Sequence, residues 1–193
     1  MKLPKLILAS GSPRRSEILT SVGWEFEKDS ADIDESEIAG ETREDYVRRL
    51  ALEKARAVDR KRPGGLVLGA DTTVVIDDRI IGKPIDLDDA ARMIRMLAGN
   101  WHAVLTGVAL VSGNRSVVRI QRTEVKFAPM SDAEVEFLVA NGDPLDKAGA
   151  YAVQAQAALF IEEIRGDYWN VVGLPVNLVY ELAAEFEAKS AAE

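Results

Sequence analysis

The chain has no cysteine and a single histidine, His102. The first absence excludes disulfides, thiolate metal sites and a cysteine nucleophile, and it fits a reducing compartment. The second excludes metal centres built on several imidazoles. Long apolar runs are missing too. No stretch nears the roughly 18 residues of a membrane span. Only a short apolar run, residues 6–9, follows Met1-Lys2-Leu3-Pro4-Lys5, too short for the apolar segment of a secretion signal. A soluble, cytoplasmic protein without a membrane partner is the expectation. Positive charge is scarce: 24 Lys and Arg against 32 Asp and Glu give a net charge of −8. A nucleic-acid partner asks for a basic surface, so none is expected. Two nucleotide signatures are absent as well. No G-x-G-x-x-G occurs, and a P-loop ending at Gly82-Lys83 would need Gly at 77 and Ser or Thr at 84, where the chain has Asp77 and Pro84.

What is present is apolar bulk, 47% of 193 residues, enough for a folded core. Residues 6–9 read as a strand. A helix then opens with Ser12 as N-cap and Pro13 as first helical residue, carries Ile18, Leu19 and Val22 on one side, and stops near Gly23. Residues 30–41 are polar and acidic, a loop. Thr42 with Asp45 starts a second helix, whose apolar face runs Val47, Leu50, Ala51, Ala55, Val58 at the helical period, and Lys61-Arg62-Pro63-Gly64-Gly65 ends it. Residues 66–76 form a strand, Asp77-Asp78 a turn, and Ile80-Ile81 a return strand. Asp88 is expected to cap a helix carrying Ala90, Ile94 and Leu97 and closed by Gly99. Residues 101–112 and 116–127 read as an antiparallel pair around Gly113-Asn114, and Ser131 with Glu134 as a capping box for a helix ending at Asn141-Gly142. Residues 150–164 are β-like, and a last helix runs from about Pro175 towards Lys189, with a fraying tail. Alternating strands and helices with one antiparallel pair predict an α/β fold built on a mixed sheet.

Several residues stand out against this background. Arg14 and Arg15 occupy the first turn of a helix, where the macrodipole favours acids. A strand, a Ser-Gly loop and a helix N-terminus make an anion site, with Gly11 allowing close approach and Ser10 and Ser12 adding hydroxyls. A bound oligophosphate would turn the arginine pair from a cost into a gain; the alternative is that both splay into solvent or meet the acids at 32–37. Lys54 stands on the apolar stripe of its helix, four residues from both Leu50 and Val58. It either snorkels to water or adds a cation to the same phosphate site. Asp71 interrupts an apolar strand, where a carboxylate needs a hydrogen bond, a metal or a lysine. Thr72 follows it, and Lys83 in Gly82-Lys83-Pro84 supplies a further cation. Asp32, Asp34, Glu35 and Glu37 form a dense acidic loop; one or two of them joining Asp71 would suffice for Mg²⁺, which takes its other ligands from water and phosphate. His102 reads as structural, and Tyr151, Phe160, Tyr168 and Trp169 as core.

Seven segments stand in the order of one known family: SGSPRR at 10–15, EKARA at 53–57, GADT at 69–72, GKP at 82–84, TGVAL at 106–110, DKAGAY at 146–151 and GDYWNVVGLP at 166–175. The chain resembles the Maf nucleotide pyrophosphatases, once named for septum-formation inhibition, over about residues 6–185. The resemblance implies the α/β fold of the inosine-triphosphate pyrophosphatase group, an elongated mixed β-sheet flanked by helices with a deep central cleft, and one domain over residues 1–193 with two lobes around that cleft. It implies hydrolysis of a nucleoside triphosphate to the monophosphate and pyrophosphate, with a divalent metal cation, Mg²⁺ or Mn²⁺, as cofactor. Asp71 becomes the proton acceptor for the attacking water and, with Glu35, a metal contact. Lys54 and Lys83 become phosphate-binding cations, and Arg14, Thr72 and Gln154 become positions that set substrate choice. The segment ending at Gln154 resembles the branch that prefers dTTP and UTP, with Ala155 where that branch has Gly. Gln154 suits a pyrimidine edge, because its amide both donates and accepts. Homodimers are common in that family. A non-catalytic nucleotide-binding regulator of cell division is the alternative function, and a phosphatase releasing orthophosphate a third.

Overall fold

The computed structural model describes residues 3–30 and 32–190, with side chains as far as residue 188. Of the tail expected to fray after Lys189, Ser190 still belongs to the last helix and residues 191–193 lie outside the described residues. Two compact units divide the chain: Met1–Asp71 with Thr106–Gln121 and Gly173–Glu193, and Thr72–Leu105 with Arg122–Val172. The fold is α/β. Its mixed sheet of seven strands has the order β2-β1-β3-β5-β6-β7, with β4 paired to β3. Among the described residues no helix is long and apolar enough to cross a membrane.

In the first unit, β1 (Leu6–Ala9) lies between β2 (Phe26–Asp29) and β3 (Leu66–Ile76) and runs parallel to both. Sequence patterning passed over β2, a short strand with no apolar alternation. Two helices follow β1 and β2. The first, α1 (Pro13–Ser21), starts at Ser12 and ends before Gly23, whose φ of +68° suits glycine. Its apolar side holds Ile18 and Leu19, but Val22, expected beside them, is exposed. The second, α2 (Arg43–Lys61), starts at Thr42, whose hydroxyl accepts from the Asp45 N–H at 3.1 Å, a cap worth about 1 kcal/mol. Glu44 and Asp45 in its first turn and Arg60 and Lys61 in its last complement the macrodipole.

The apolar stripe of α2 packs on the sheet through small residues. Ala51, Ala55 and Val58 join Ile7, Ala9, Val67, Ala109 and Val111 in one buried cluster. Two glycines set how close the helix comes. A Cβ on Gly69 would lie 2.1 Å from the Ala51 carbonyl oxygen, and one on Gly107 equally close to that of Val47. No side chain fits at either place, so the helix backbone rests on the strands themselves. Gly69 and Asp71 are two residues apart in β3 and share a sheet face. Close packing at Gly69 therefore brings α2 over Asp71. The remaining helix of this unit, α6, spans Val176–Ser190.

In the second unit, β4 (Arg79–Ile81) returns antiparallel to the end of β3 through Asp77 and Asp78, both at positive φ as a two-residue hairpin requires. Helix α3 (Leu87–Leu97) is capped by Asp86, not by Asp88 as expected. Asp86 is extended and accepts from the Asp89 N–H at 2.7 Å, whereas Asp88 lies inside the first turn. Long strands β5 (Trp101–Ser112) and β6 (Arg115–Phe127) bracket the expected Gly113-Asn114 turn and pass from one unit into the other. Helix α4 (Asp132–Asn141) carries the expected capping box of Ser131 and Glu134. Residues 150–164 are not one β-like run. Single turns of 3-10 helix occupy Pro144–Asp146 and Gln156–Leu159, Ala148–Ala150 is a tight turn with Gly149 and Ala150 at positive φ, and only β7 (Ile161–Arg165) is a strand, antiparallel to β6. Small residues that suit a strand by hydropathy here fill tight turns instead. A short α5 (Tyr168–Val172) follows, and Tyr168 and Trp169 are partly exposed and meet edge to face rather than in the core.

Because Gly69 contacts helix backbone rather than a yielding side chain, Gly69→Ala is expected to lower unfolding free energy by about 2–3 kcal/mol, measured by urea denaturation.

Candidate active site

Three elements of the first unit meet at Lys54. The residue lies between Ala51 and Ala55 on the packed face of α2, over β3. Its Nζ donates to Asp71 Oδ1 at 2.6 Å and lies 2.9 Å from Glu35 Oε1. Lys54 and Asp71 are nearly buried, with side chains 12% and 10% exposed, while Glu35 is half exposed. Lys54 thus reaches neither open solvent nor a purely apolar core. An ion pair this deep owes much to each partner: removing one leaves the other charge stranded at a cost of about 3–5 kcal/mol.

Glu35 arrives on the acidic loop, which α2 staples down. Tyr46 donates its hydroxyl to the Glu35 carbonyl at 3.0 Å. Arg49 holds Glu41 through both carboxylate oxygens, at 2.8 and 2.9 Å, and donates to the Ser36 carbonyl at 3.0 Å. Burial, with the charges of Asp71, Glu35 and Glu37, pushes the Tyr46 hydroxyl up to about 12, so it stays a donor. Composition gave these staples no mark, but Tyr46, Leu50 and Lys54 follow one another at four-residue spacing and share a helix face. The other loop acids are placed differently: Asp34 turns back to the Ser36 N–H at 2.9 Å, Glu37 pairs with Arg43 at 3.1 Å, and Asp32 is exposed.

The two arginines of α1 separate. Arg15 folds inward and is buried. Its Nε donates to the Gly173 carbonyl at 3.0 Å, and its Nη1 to the Ser10 hydroxyl and the Ala70 carbonyl, both at 2.9 Å. Burial pushes its pKa down, and the nearby Asp71 charge works against that shift. Arg15 therefore buttresses the loop from beneath, next to Asp71, where the sequence pointed to a ligand contact. Arg14 stays half-buried on the first turn. Ser10 accepts from Arg15 and, at 3.3 Å, from the Ser12 N–H, so its oxygen shapes the loop. Ser12 holds the N-cap position without a side-chain capping bond, and no acid occupies the first turn of α1. The helix start thus keeps N–H groups directed outward, the electrostatic setting for an anion.

Asp71 and Glu35 are the residues nominated for a metal. Their carboxylates converge on one ammonium, so a single cation can satisfy both. Among the described residues no cluster of three or more His, Asp or Glu forms a full metal cage. Two carboxylates sharing a cation fit Mg²⁺ or Mn²⁺, which take their other ligands from water and phosphate oxygens. Thr72, Lys83 and Gln154 belong to the second unit. Thr72 is half-buried in β3; Lys83 is exposed beside Gly82, whose carbonyl accepts from the Gly149 N–H at 3.0 Å; Gln154 is exposed in a turn. Ala155 has φ of −121°, an ordinary value for alanine, so the turn needs no glycine there.

Residues 5–186 match the family model described as Maf-like protein. The chain belongs to the Maf family. Maf relatives include a dTTP/UTP pyrophosphatase of Symbiobacterium thermophilum, 47% identical over 184 residues with 95% of each chain covered. Another, from Anaeromyxobacter dehalogenans and of the same name, is 51% identical over 178 residues, covering 90% of this chain and 89% of its own. Among solved structures, the Staphylococcus aureus Ham1 protein superposes with a TM-score of 0.53 at 14% identity, covering 96% of this Maf chain and 99% of its own. That likeness concerns the fold.

Arg15 and Arg14 should separate by experiment. Arg15→Lys loses the planar fork that serves three acceptors, and is expected to lower unfolding free energy by about 2–3 kcal/mol. Arg14→Lys should change it by less than about 0.5 kcal/mol in the same denaturant titration.

Proposed function

We propose that this chain hydrolyses the pyrimidine nucleoside triphosphates dTTP and UTP to the monophosphate and pyrophosphate. The observation that carries the reading is the convergence of Asp71, Lys54 and Glu35 beside the Ser10–Arg15 loop at the start of α1. The names of its relatives, dTTP/UTP pyrophosphatases, agree with it. In this reading the phosphate chain lies against the α1 N-terminus, with Arg14 and Lys54 balancing its charge. Water attacks the α-phosphorus, the bond from that phosphorus to the oxygen bridging to the β-phosphate breaks, and pyrophosphate leaves. Asp71 takes the proton of the attacking water. It begins as a carboxylate held in place by Lys54, so its free oxygen is oriented before substrate arrives.

A divalent cation, Mg²⁺ or Mn²⁺, belongs to the reading, with Glu35 and Asp71 as its protein contacts. When bound, it neutralises charge on the phosphates. Thr72 and Gln154 take part in choosing the base. The Gln154 amide can pair with both the N3–H and the O4 of uracil or thymine.

Incubation with a panel of nucleoside triphosphates and Mg²⁺ or Mn²⁺, with product identification, tests the reaction. Monophosphate plus pyrophosphate from dTTP and UTP, abolished by a chelator, is the expected result. Orthophosphate release, or binding without turnover, would overturn it. Asp71→Asn is expected to lower kcat by about 100-fold to 10,000-fold while triphosphate binding, followed by calorimetry, persists.

A further inference from the structure

The segment leading to Gln154 is held in a strained shape. Gly149 and Ala150 both lie in the left-handed region, at φ of 71° and 64°. Glycine tolerates this; a buried alanine does so only when its surroundings impose it. Three contacts within the second unit impose it. The Gly149 N–H donates to the Gly82 carbonyl at 3.0 Å. A Cβ on Gly149 would press on the Val74 side chain at 3.0 Å, so glycine lets the turn sit flush against β3. Immediately after the turn, Tyr151 enters the core, and its hydroxyl lies 2.7 Å from His102 Nε2. Both rings pack on Phe127, with centroids 5.0 and 5.5 Å away.

The pair is a polar contact in an apolar setting. His102 is 3% exposed, and its Nδ1 has no hydrogen-bond partner. Burial pushes its pKa down to about 4, so the imidazole is neutral near pH 7. If Tyr151 donates to Nε2, only the Nδ1–H is left unmet. If Nε2 donates instead, both the tyrosine O–H and Nδ1 are left. The first arrangement leaves fewer groups unpaired, so Tyr151 is the donor. A Phe at 151 and a Leu at 102 would pack here without any unpaired group, so stability alone does not account for the pair.

We propose that the Tyr151–His102 hydrogen bond is a positioning device for base selection: it locks the left-handed turn at Gly149-Ala150 and so fixes where Gln154, three residues beyond Tyr151, presents its amide. The proposal rests on the reading of Gln154 as a base contact. Tyr151 and His102 are positioning residues that act through Gln154.

The test compares kcat and KM for UTP and for GTP in the wild type and in Tyr151→Phe, His102→Gln, His102→Leu and Phe127→Leu. Loss of one hydrogen bond should lower the UTP-to-GTP ratio of kcat/KM by about fivefold to tenfold in Tyr151→Phe, with KM for UTP moving more than kcat. His102→Gln offers the tyrosine an amide acceptor and should retain most of the ratio; His102→Leu should lose it, and this pair decides the matter if Tyr151→Phe does not fold. Phe127→Leu loosens the same cluster but keeps the bond, and should lower the thermal midpoint while keeping the ratio. A folded Tyr151→Phe with an unchanged ratio overturns the proposal. So does a Phe127→Leu variant that loses selectivity as much at equal thermal midpoint. If Gln154→Ala leaves the ratio unmoved, the reading of Gln154 itself has failed, and the inference with it.

Discussion

The ammonium of Lys54, set between Asp71 and Glu35, is the constraint on which the rest of the first unit depends. Two charges nearly out of water are expensive to keep. A pair of apolar side chains of similar volume would serve stability as well or better. The chain keeps the pair and arranges its backbone around it. Gly69 and Gly107 bring α2 onto the strands, and the small residues Ala51 and Ala55 flank the lysine at the contact. One more methyl group at Gly69 would lift the helix, and Lys54 would leave Asp71.

Arg15 supports the same geometry from the other side. Its guanidinium ties together three chain segments: Ser10 after β1, Ala70 within β3 and Gly173 before α6. A buried charge needs every donor placed, and the rigid fork meets that need better than a lysine would. The unfavourable position of two arginines in a helix first turn is resolved by giving them different tasks. One neutralises and braces the interior next to Asp71, and the other remains at the mouth of the helix, where N–H groups face outward.

The second unit uses strain where the first uses charge. The left-handed Ala150, next to the tolerant Gly149, stores energy of order 1–3 kcal/mol, released unless neighbours hold the turn. The neighbours are the Gly82 carbonyl, Val74 and the Tyr151–His102 pair, each drawn from a different stretch of chain.

Much of this was legible in the linear sequence. Caps at Thr42 and Ser131, the glycine stop after α1, the hairpin at Asp77-Asp78 and the mixed sheet rest on local rules, because a cap or a tight turn is decided by residues within four positions of one another. The oddity of Asp71 and Lys54 was legible too, since a charge on an apolar stripe violates its own pattern. Their partnership was not: 17 residues separate them, and only packing at Gly69 makes them neighbours. The same holds for the division between Arg14 and Arg15, for the cap at Asp86 rather than Asp88, and for residues 150–164, whose small apolar residues fill turns instead of a strand. By itself the sequence determined which residues are chemically out of place and which local structures they sit in, because those depend on near neighbours. Tertiary structure alone decided which charges meet and which stay at the surface, because burial and pairing depend on atoms far away along the chain.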